Sequence, residues 1–507
     1  MEPSQGLFGK SPDTTDLPVS SEHRRFLLAV LVLIMFGLWL LPARKSLWID
    51  EAGTYWVIKG GLSQTWHRAL TFQGQSPFFY LIEWIARWIF GRSEIGLRLP
   101  SLISSVLSVL LLFRLTKRLI GQEAAWIASI IFACLTSVAL EASAARPYAF
   151  ALMLLLASTL SLVRWLDTGR LTYGAAYVLL VVATIYAHYL FALPIASHLV
   201  YFSYRRHNSA VRSRTYAASL ACAAVLAGPS FAQVISLLRR RQFLWIPTSL
   251  SVRDFIEALA PSALVVGFLI GWLIARAIEK RLSLARANTN SWDRALVVAW
   301  WAIPPVTLYV ISVSTGTALF QSRYYLSGAP ALALIMAWMI SRLSPERARR
   351  VVVVAVVLLS VLVLPERTGA RDEGWRSALN ETNRLSTSGQ TPVLIRTALA
   401  EARQQSWLSQ PERVSYLLSP VSFYPIKGRA FALPLFLNPS SRAYLDELVS
   451  NVLIHSDRFL VVSRESDPLE PWFEVKMEPF RFHPTYAKSY GNLYLTMFER
   501  TPNSPSS

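Results

Sequence analysis

Cysteine is almost missing from this sequence: Cys134 and Cys222 are the only two in 507 residues. Both fall inside hydrophobic runs, so they read as small apolar side chains rather than as a disulfide or a metal pair. Histidine is scarce as well. The seven present are scattered, with no HxxxH-type pair, so neither a metal site nor a cofactor is expected, and a divalent metal has no support. Acid is short against base, 31 Asp and Glu to 50 Lys and Arg, which leaves a net charge of +19. No nucleic-acid module accompanies that excess, so nucleic acid is not an expected partner. Arginine-rich loops held on the cytoplasmic side of a membrane account for it.

Apolar residues are what the chain has in plenty: 53% of it, with a mean hydropathy of +0.37, too greasy for an ordinary soluble protein. They come in runs of roughly 16–20, the length a helix needs to cross about 30 Å of hydrocarbon. Residues 1–25 read as a disordered cytoplasmic tail rich in Ser, Pro and Asp, and residues 26–364 as a membrane domain. Within it, residues 43–98 form an outer-face loop. There Pro77–Phe90 carries Tyr80, Glu83 and Arg87 as one polar stripe on a 14-residue apolar helix, with Glu83 and Arg87 spaced for an i, i+4 ion pair. Two charges at mid-membrane would cost roughly 2.5–3.5 kcal/mol each, so this helix is expected to lie in the membrane plane. On that assignment the later arginine clusters that close the inward spans fall on the cytoplasmic side, giving about eleven spans with the N-terminus cytoplasmic.

Composition turns polar after Pro365. Residues 365–500 read as a soluble α/β domain on the outer face, a lid or an acceptor-recognition module. Helices are expected near Trp375–Arg384 and Arg442–Ser450, between strands VLIR, FLVV and NLYLTMF. Residues 501–507 read as a disordered tail. The fold class is therefore a polytopic α-helical membrane protein with a C-terminal α/β domain.

Four outer-face segments converge on this topology: the loop bearing Asp50 and Glu51, Gly74–Pro77, Ala145–Tyr148 and Ala318–Tyr325. A fifth, Arg239–Trp245, carries three consecutive arginines. Arginine on the outer face runs against the retention rule. Arg146, Arg239, Arg240 and Arg323 suit a lipid phosphate, which guanidinium binds by paired hydrogen bonds; snorkelling to headgroups or pairing with loop carboxylates is the plainer alternative. Asp50 reads either as a helix cap or partner of Lys45, or as a general base for an acceptor hydroxyl, and Glu51 as a second acid or as the residue orienting the loop. Trp48, Tyr55 and Trp56 flank the pair as interface aromatics.

WIDEAGTYW, GQSPFFYLIEW, GLRLPSLISSVLSVLLLFRLTKRLIG, ARPYAF and FQSRYYLSGAPALAL, in that order from about Arg24 to Leu343, resemble the successive landmarks of GT-C glycosyltransferases. The branch is glycosyltransferase family 39, with protein O-mannosyltransferases and lipid A aminoarabinose transferases. The resemblance implies inverting transfer of a sugar from a polyprenyl-phosphate donor to a lipid, glycan or protein acceptor across the membrane, in a bacterial inner membrane with the C-terminal domain periplasmic. It makes Asp50 the base and Glu51 its acidic neighbour. It sets Arg146 and Tyr148 in the R-P-Y turn, and Arg323 and Tyr324 at the donor phosphate. Gln75-Ser76-Pro77 stands where relatives often carry His-Pro-Pro or Lys-Pro-Pro. Ala144 stands where an acidic residue is often found, with Glu141 three positions earlier as its substitute. A transporter or flippase of a lipid-linked glycan is the competing reading, against which stand the few mid-span charges and the lack of an inverted hydropathy repeat.

Overall fold

In this computed structural model the chain is described over residues 21–73, 75–239, 250–279, 282–284, 289–369, 372–464 and 468–501. The expected tails up to residue 20 and from residue 502, together with Arg240 and Arg241, lie outside the described residues. Six described helices are long and apolar enough to cross a bilayer: Arg24–Arg44, Glu94–Leu119, Pro147–Thr168, Ser213–Ala232, Ser291–Thr315 and Ser322–Ser341. Two bent pairs raise this to eight, Gln122–Cys134 with Thr136–Ala142 at 68° and Val252–Leu259 with Ser262–Ile278 at 57°. The second break falls where Pro261 drives Ala260 out of helical backbone, to φ −139° and ψ 78°.

The expected count of eleven adds three further helices to those eight. Leu171–Ala187 has 17 residues and Ile195–Arg205 has 11, about 26 and 17 Å of helix at 1.5 Å per residue. Glu346–Gly369 opens on a charged turn with Glu346, Arg347, Arg349 and Arg350.

Pro77–Phe90 forms as a 14-residue helix. Ser76 caps it by accepting from the Phe78 N–H at 3.2 Å, Pro77 occupies the first turn, where no N–H is needed, and Gly91 at φ 75° ends it. Its burial is inside out for a soluble helix. Phe79, Tyr80, Glu83 and Ala86 face protein, whereas Ile85, Trp88 and Ile89 are half or more exposed, a face suited to lipid. The expected Glu83–Arg87 pair does not form. Arg87 donates instead to the Ile58 carbonyl at 2.7 Å, and neither Glu83 oxygen has a hydrogen-bond partner among the described residues.

The C-terminal residues build a five-stranded sheet ordered β4-β3-β5-β7-β6. Its strands are β3 (Pro392–Ile395), β4 (Arg429–Ala432), β5 (Arg458–Arg464), β6 (Phe482–Tyr490) and β7 (Leu493–Arg500), numbered after two two-residue strands, β1 (Ser283–Leu284) and β2 (Leu343–Ser344). β3 runs parallel to both β4 and β5, and β7 is antiparallel to β5 and β6. Trp375–Leu385 and Pro439–Asn451 form as helices. This unit is not a detached lid. Trp56 and Phe72 of the first loop sit in one hydrophobic cluster with Trp407 and Tyr416, with ring centroids 5.3 Å apart for Trp56–Tyr416 and 5.8 Å for Phe72–Trp407.

Candidate functional site

The loop after the first span folds into a helix, Ile49–Ile58, with Asp50 and Glu51 in its first turn, where the N-terminal dipole favours acid. Adjacent helix positions diverge by about 100°, so the two carboxylates go to different places. Asp50 is one-quarter exposed and its Oδ2 accepts from Arg323 Nη1 at 2.9 Å. Glu51 is fully buried. Arg98 donates to both its oxygens, at 2.7 Å from Nε to Oε1, the Ala145 N–H donates to Oε1 at 2.8 Å, and the Trp48 N–H to Oε2 at 3.2 Å. Glu51 thus ties the Asp50 helix to the helix Glu94–Leu119 and to the turn that carries Arg146.

That turn delivers Arg146 to the main chain of Asp50. Its Nη1 approaches the Asp50 carbonyl at 3.3 Å and Thr54 Oγ1 at 3.4 Å. Arg323 lies over the Tyr324 ring at 5.1 Å and Arg146 by the Tyr148 ring at 6.0 Å. Tyr148 and Tyr324 are 6.2 Å apart, and His188 stacks near both, at 5.0 and 5.9 Å. Burial, then the charges of Arg146 and Arg323, press the His188 imidazole down to about 3, so it is neutral at ordinary pH. Gln75 accepts from the Tyr80 hydroxyl at 3.1 Å, and burial pushes that phenol up to about 12. Arg146 Nε, Arg323 Nε and His188 Nδ1 are buried without a hydrogen-bond partner among the described residues. Such groups cost free energy unless a ligand or water completes them.

Residues 74–231 match the family model described as dolichyl-phosphate-mannose-protein mannosyltransferase. The whole structure is similar to ArnT from Cupriavidus metallidurans bound to undecaprenyl phosphate, at 11% identity and a TM-score of 0.59, over 94% of this chain and 98% of that one. The chain has the GT-C fold. Apo ArnT from the same organism gives 12% identity and 0.56 over 94% and 97%. Arabinofuranosyltransferase AftD from Mycobacteria gives 15% and 0.50, over 95% of this chain but 40% of that one. At these identities the likeness is one of fold. No curated protein sequence matches.

Within the GT-C fold, Asp50, Arg146, Tyr148, Arg323 and Tyr324 come together, with Gln75 reached through Tyr80. Tyr55 does not join them. It packs edge-on against Phe423 at 4.9 Å, under Arg92 at 5.3 Å, facing the C-terminal domain. Glu141 is buried at the end of Thr136–Ala142, ahead of the Arg146 turn. Arg239 ends the helix Ser213–Arg239, its side chain outside the described residues, as is all of Arg240. Among the described residues no group of three His, Cys, Asp or Glu could hold a metal ion. Sequence reasoning missed Arg98, His188 and Thr54. Arg98 left a signal, a lone cation in the apolar run GLRLPSLI.

Proposed function

We propose that this protein transfers a sugar from a polyprenyl-phosphate donor to a lipid, glycan or protein hydroxyl at the outer face of a bacterial inner membrane, with inversion. The observation that carries the reading is the carboxylate of Asp50 paired with Arg323, with Arg146 on the Asp50 main-chain carbonyl and the Nε of both arginines buried without a hydrogen-bond partner among the described residues. Asp50 takes the proton of the acceptor hydroxyl as its oxygen attacks the anomeric carbon. The bond from that carbon to the phosphate oxygen breaks on the opposite side, and its electron pair leaves with the polyprenyl phosphate. Arg323 and Arg146, with Tyr324 beside them, hold the departing charge. Tyr148, Gln75 and Glu141 line the substrate side. Undecaprenyl phosphate in the similar ArnT structure supports this donor class. A cavity of about 130 Å³ of mixed lining, with Leu135, Pro261, Leu264 and Leu332 beside Glu257 and Ser322, adjoins Arg323, and its apolar wall suits the start of a polyprenyl chain.

The test is release of free polyprenyl phosphate from a panel of lipid-phosphate sugars by the protein in lipid, wild type against Asp50→Asn. Turnover with one donor, lowered about 10²-fold or more in the variant, is the expected result for loss of a general base. Equal turnover in the variant removes Asp50 from the role. Passage of lipid-linked sugar across vesicles with no release from any donor refutes transfer altogether and leaves a transporter.

A further inference from the structure

The C-terminal domain grips the first loop at many points. Tyr424 receives the Leu47 N–H at 2.8 Å, Ser415 the Trp56 indole at 2.9 Å and Ser422 the Lys59 ammonium at 2.9 Å, while Arg68 pairs with Glu412 at 3.3 Å. One contact differs in kind. Glu373, 4% exposed, accepts from the Ile49 N–H at 2.9 Å. Its other partners are the Trp375 indole at 2.7 Å and Arg464 at 2.6 Å. Ile49 is the first residue of the helix that bears Asp50, and the opening N–H groups of a helix have no acceptor inside it. Here a carboxylate 324 positions away supplies one.

The sheet explains why the acceptor sits there. After β3 the chain passes to helices that pack in the cluster with Trp407 and Tyr416; after β5 it passes to Leu469–Met477, in the cluster on the opposite face. Adjacent parallel strands whose connections leave to opposite faces open a crevice at their carboxyl ends, the usual ligand position of an open α/β sheet. Arg464 ends β5 at that crevice and holds Glu373 against Ile49. Through Glu373 the loop bearing Asp50 meets the sheet at that end.

We infer that Glu373 is a positioning residue, an inter-domain cap through which the C-terminal domain fixes the first turn of Ile49–Ile58 and so sets the aim of Asp50. The inference rests on Asp50 as the base, but its first readout does not. Amide hydrogen exchange of the segment 46–54 is measured in the full-length protein in lipid for wild type, Glu373→Ala, Glu373→Gln and Glu412→Ala. Glu373→Ala removes a charged acceptor, so exchange of this segment should rise about tenfold. Glu373→Gln keeps an acceptor oxygen and should restore most of the protection. Glu412→Ala, at the same interface, should leave the segment as in wild type. In the release assay Glu373→Ala should lower kcat about tenfold with the donor KM within about twofold, as expected when a group is misaimed and not unbound. Unchanged exchange in Glu373→Ala overturns the inference. So does an equal rise in Glu412→Ala, which would make the effect one of general docking. If Asp50→Asn turns over like wild type, the base assignment falls while the exchange arm still judges the cap.

Discussion

Glu51→Gln separates the two neighbouring acids. Glu51 is fully buried against Arg98, itself 4% exposed, so the substitution leaves a buried guanidinium without its counter-charge. Losing one partner of a buried pair typically costs about 3–5 kcal/mol. Arg98 keeps the carbonyls of Ala43 at 2.9 Å, Lys45 at 2.7 Å and Ser46 at 3.1 Å, which offsets part of the loss and favours the lower figure. At about 2–4 °C per kcal/mol for a domain of 150–250 residues, and less for a larger unit, the melting temperature should fall by about 5 °C. Asp50→Asn gives up the part-exposed Arg323 pair, worth about 0–1 kcal/mol, so its melt should stay within about 2 °C of wild type while turnover collapses. The assay is a thermal melt of both variants in one detergent, read beside polyprenyl phosphate release. An unshifted melt for Glu51→Gln would refute the reasoning. If turnover were lost at the same time, Glu51 would belong with the reacting atoms.

Two further outcomes follow from buried features away from Asp50. Burial, then the charge of Glu51, holds the Glu83 carboxyl well above the ordinary range, so the folded chain binds a proton there that the unfolded chain releases. Stability from this site is complete below the unfolded value and is lost as pH rises toward the folded one, at up to about 1.4 kcal/mol per unit. Glu83→Gln should therefore melt like wild type near pH 4 and higher than wild type at pH 8; parallel curves would contradict it. Gly271 packs so tightly that a Cβ would meet Val352 Cα at 2.7 Å, with Gly267 similarly 2.8 Å from Val356 Cα. Gly271→Val should cost about 1–3 kcal/mol by overpacking Ser262–Ile278 against Glu346–Gly369, seen as a lower melting temperature; a neutral result would mean the helices can part freely.

Local signals in the sequence carried the fold a long way. Ser76-Pro77 and Gly91 mark both ends of the helix Pro77–Phe90, because a cap and a terminator act within a turn of where they stand. β5 and β7 declare themselves as apolar runs, since both bury their side chains in the middle of the sheet. β6 and β4 do not: β6 is an edge strand with most side chains exposed and Pro484 within it, and β4 has one buried residue. The Glu83–Arg87 pair shows the limit of local reasoning. Spacing allows it, yet Arg87 finds the Ile58 carbonyl, 29 positions away. Contacts of that kind decide the site, at separations of 47 for Arg98–Glu51, 273 for Arg323–Asp50 and 324 for Ile49–Glu373. They depend on which helices become neighbours, and no periodicity along the chain records that.

The Asp50–Glu51 pair is where this matters most for mechanism. Two adjacent acids invite a reading as a shared-proton dyad, which needs both carboxyls at one place. Helix geometry forbids it, turning successive side chains by about 100°. Glu51 goes inward, where three donor groups from Arg98, Ala145 and Trp48 occupy its oxygens. Asp50 goes to the part-exposed side, held by Arg323. Arg146 follows Ala145, the residue Glu51 holds, so the inward acid also sets the second cation beside the outward one. One part-exposed carboxylate beside two cations suits the proposed transfer, and that arrangement depends on Glu51 being buried on Arg98 and Ala145, turned away from Asp50.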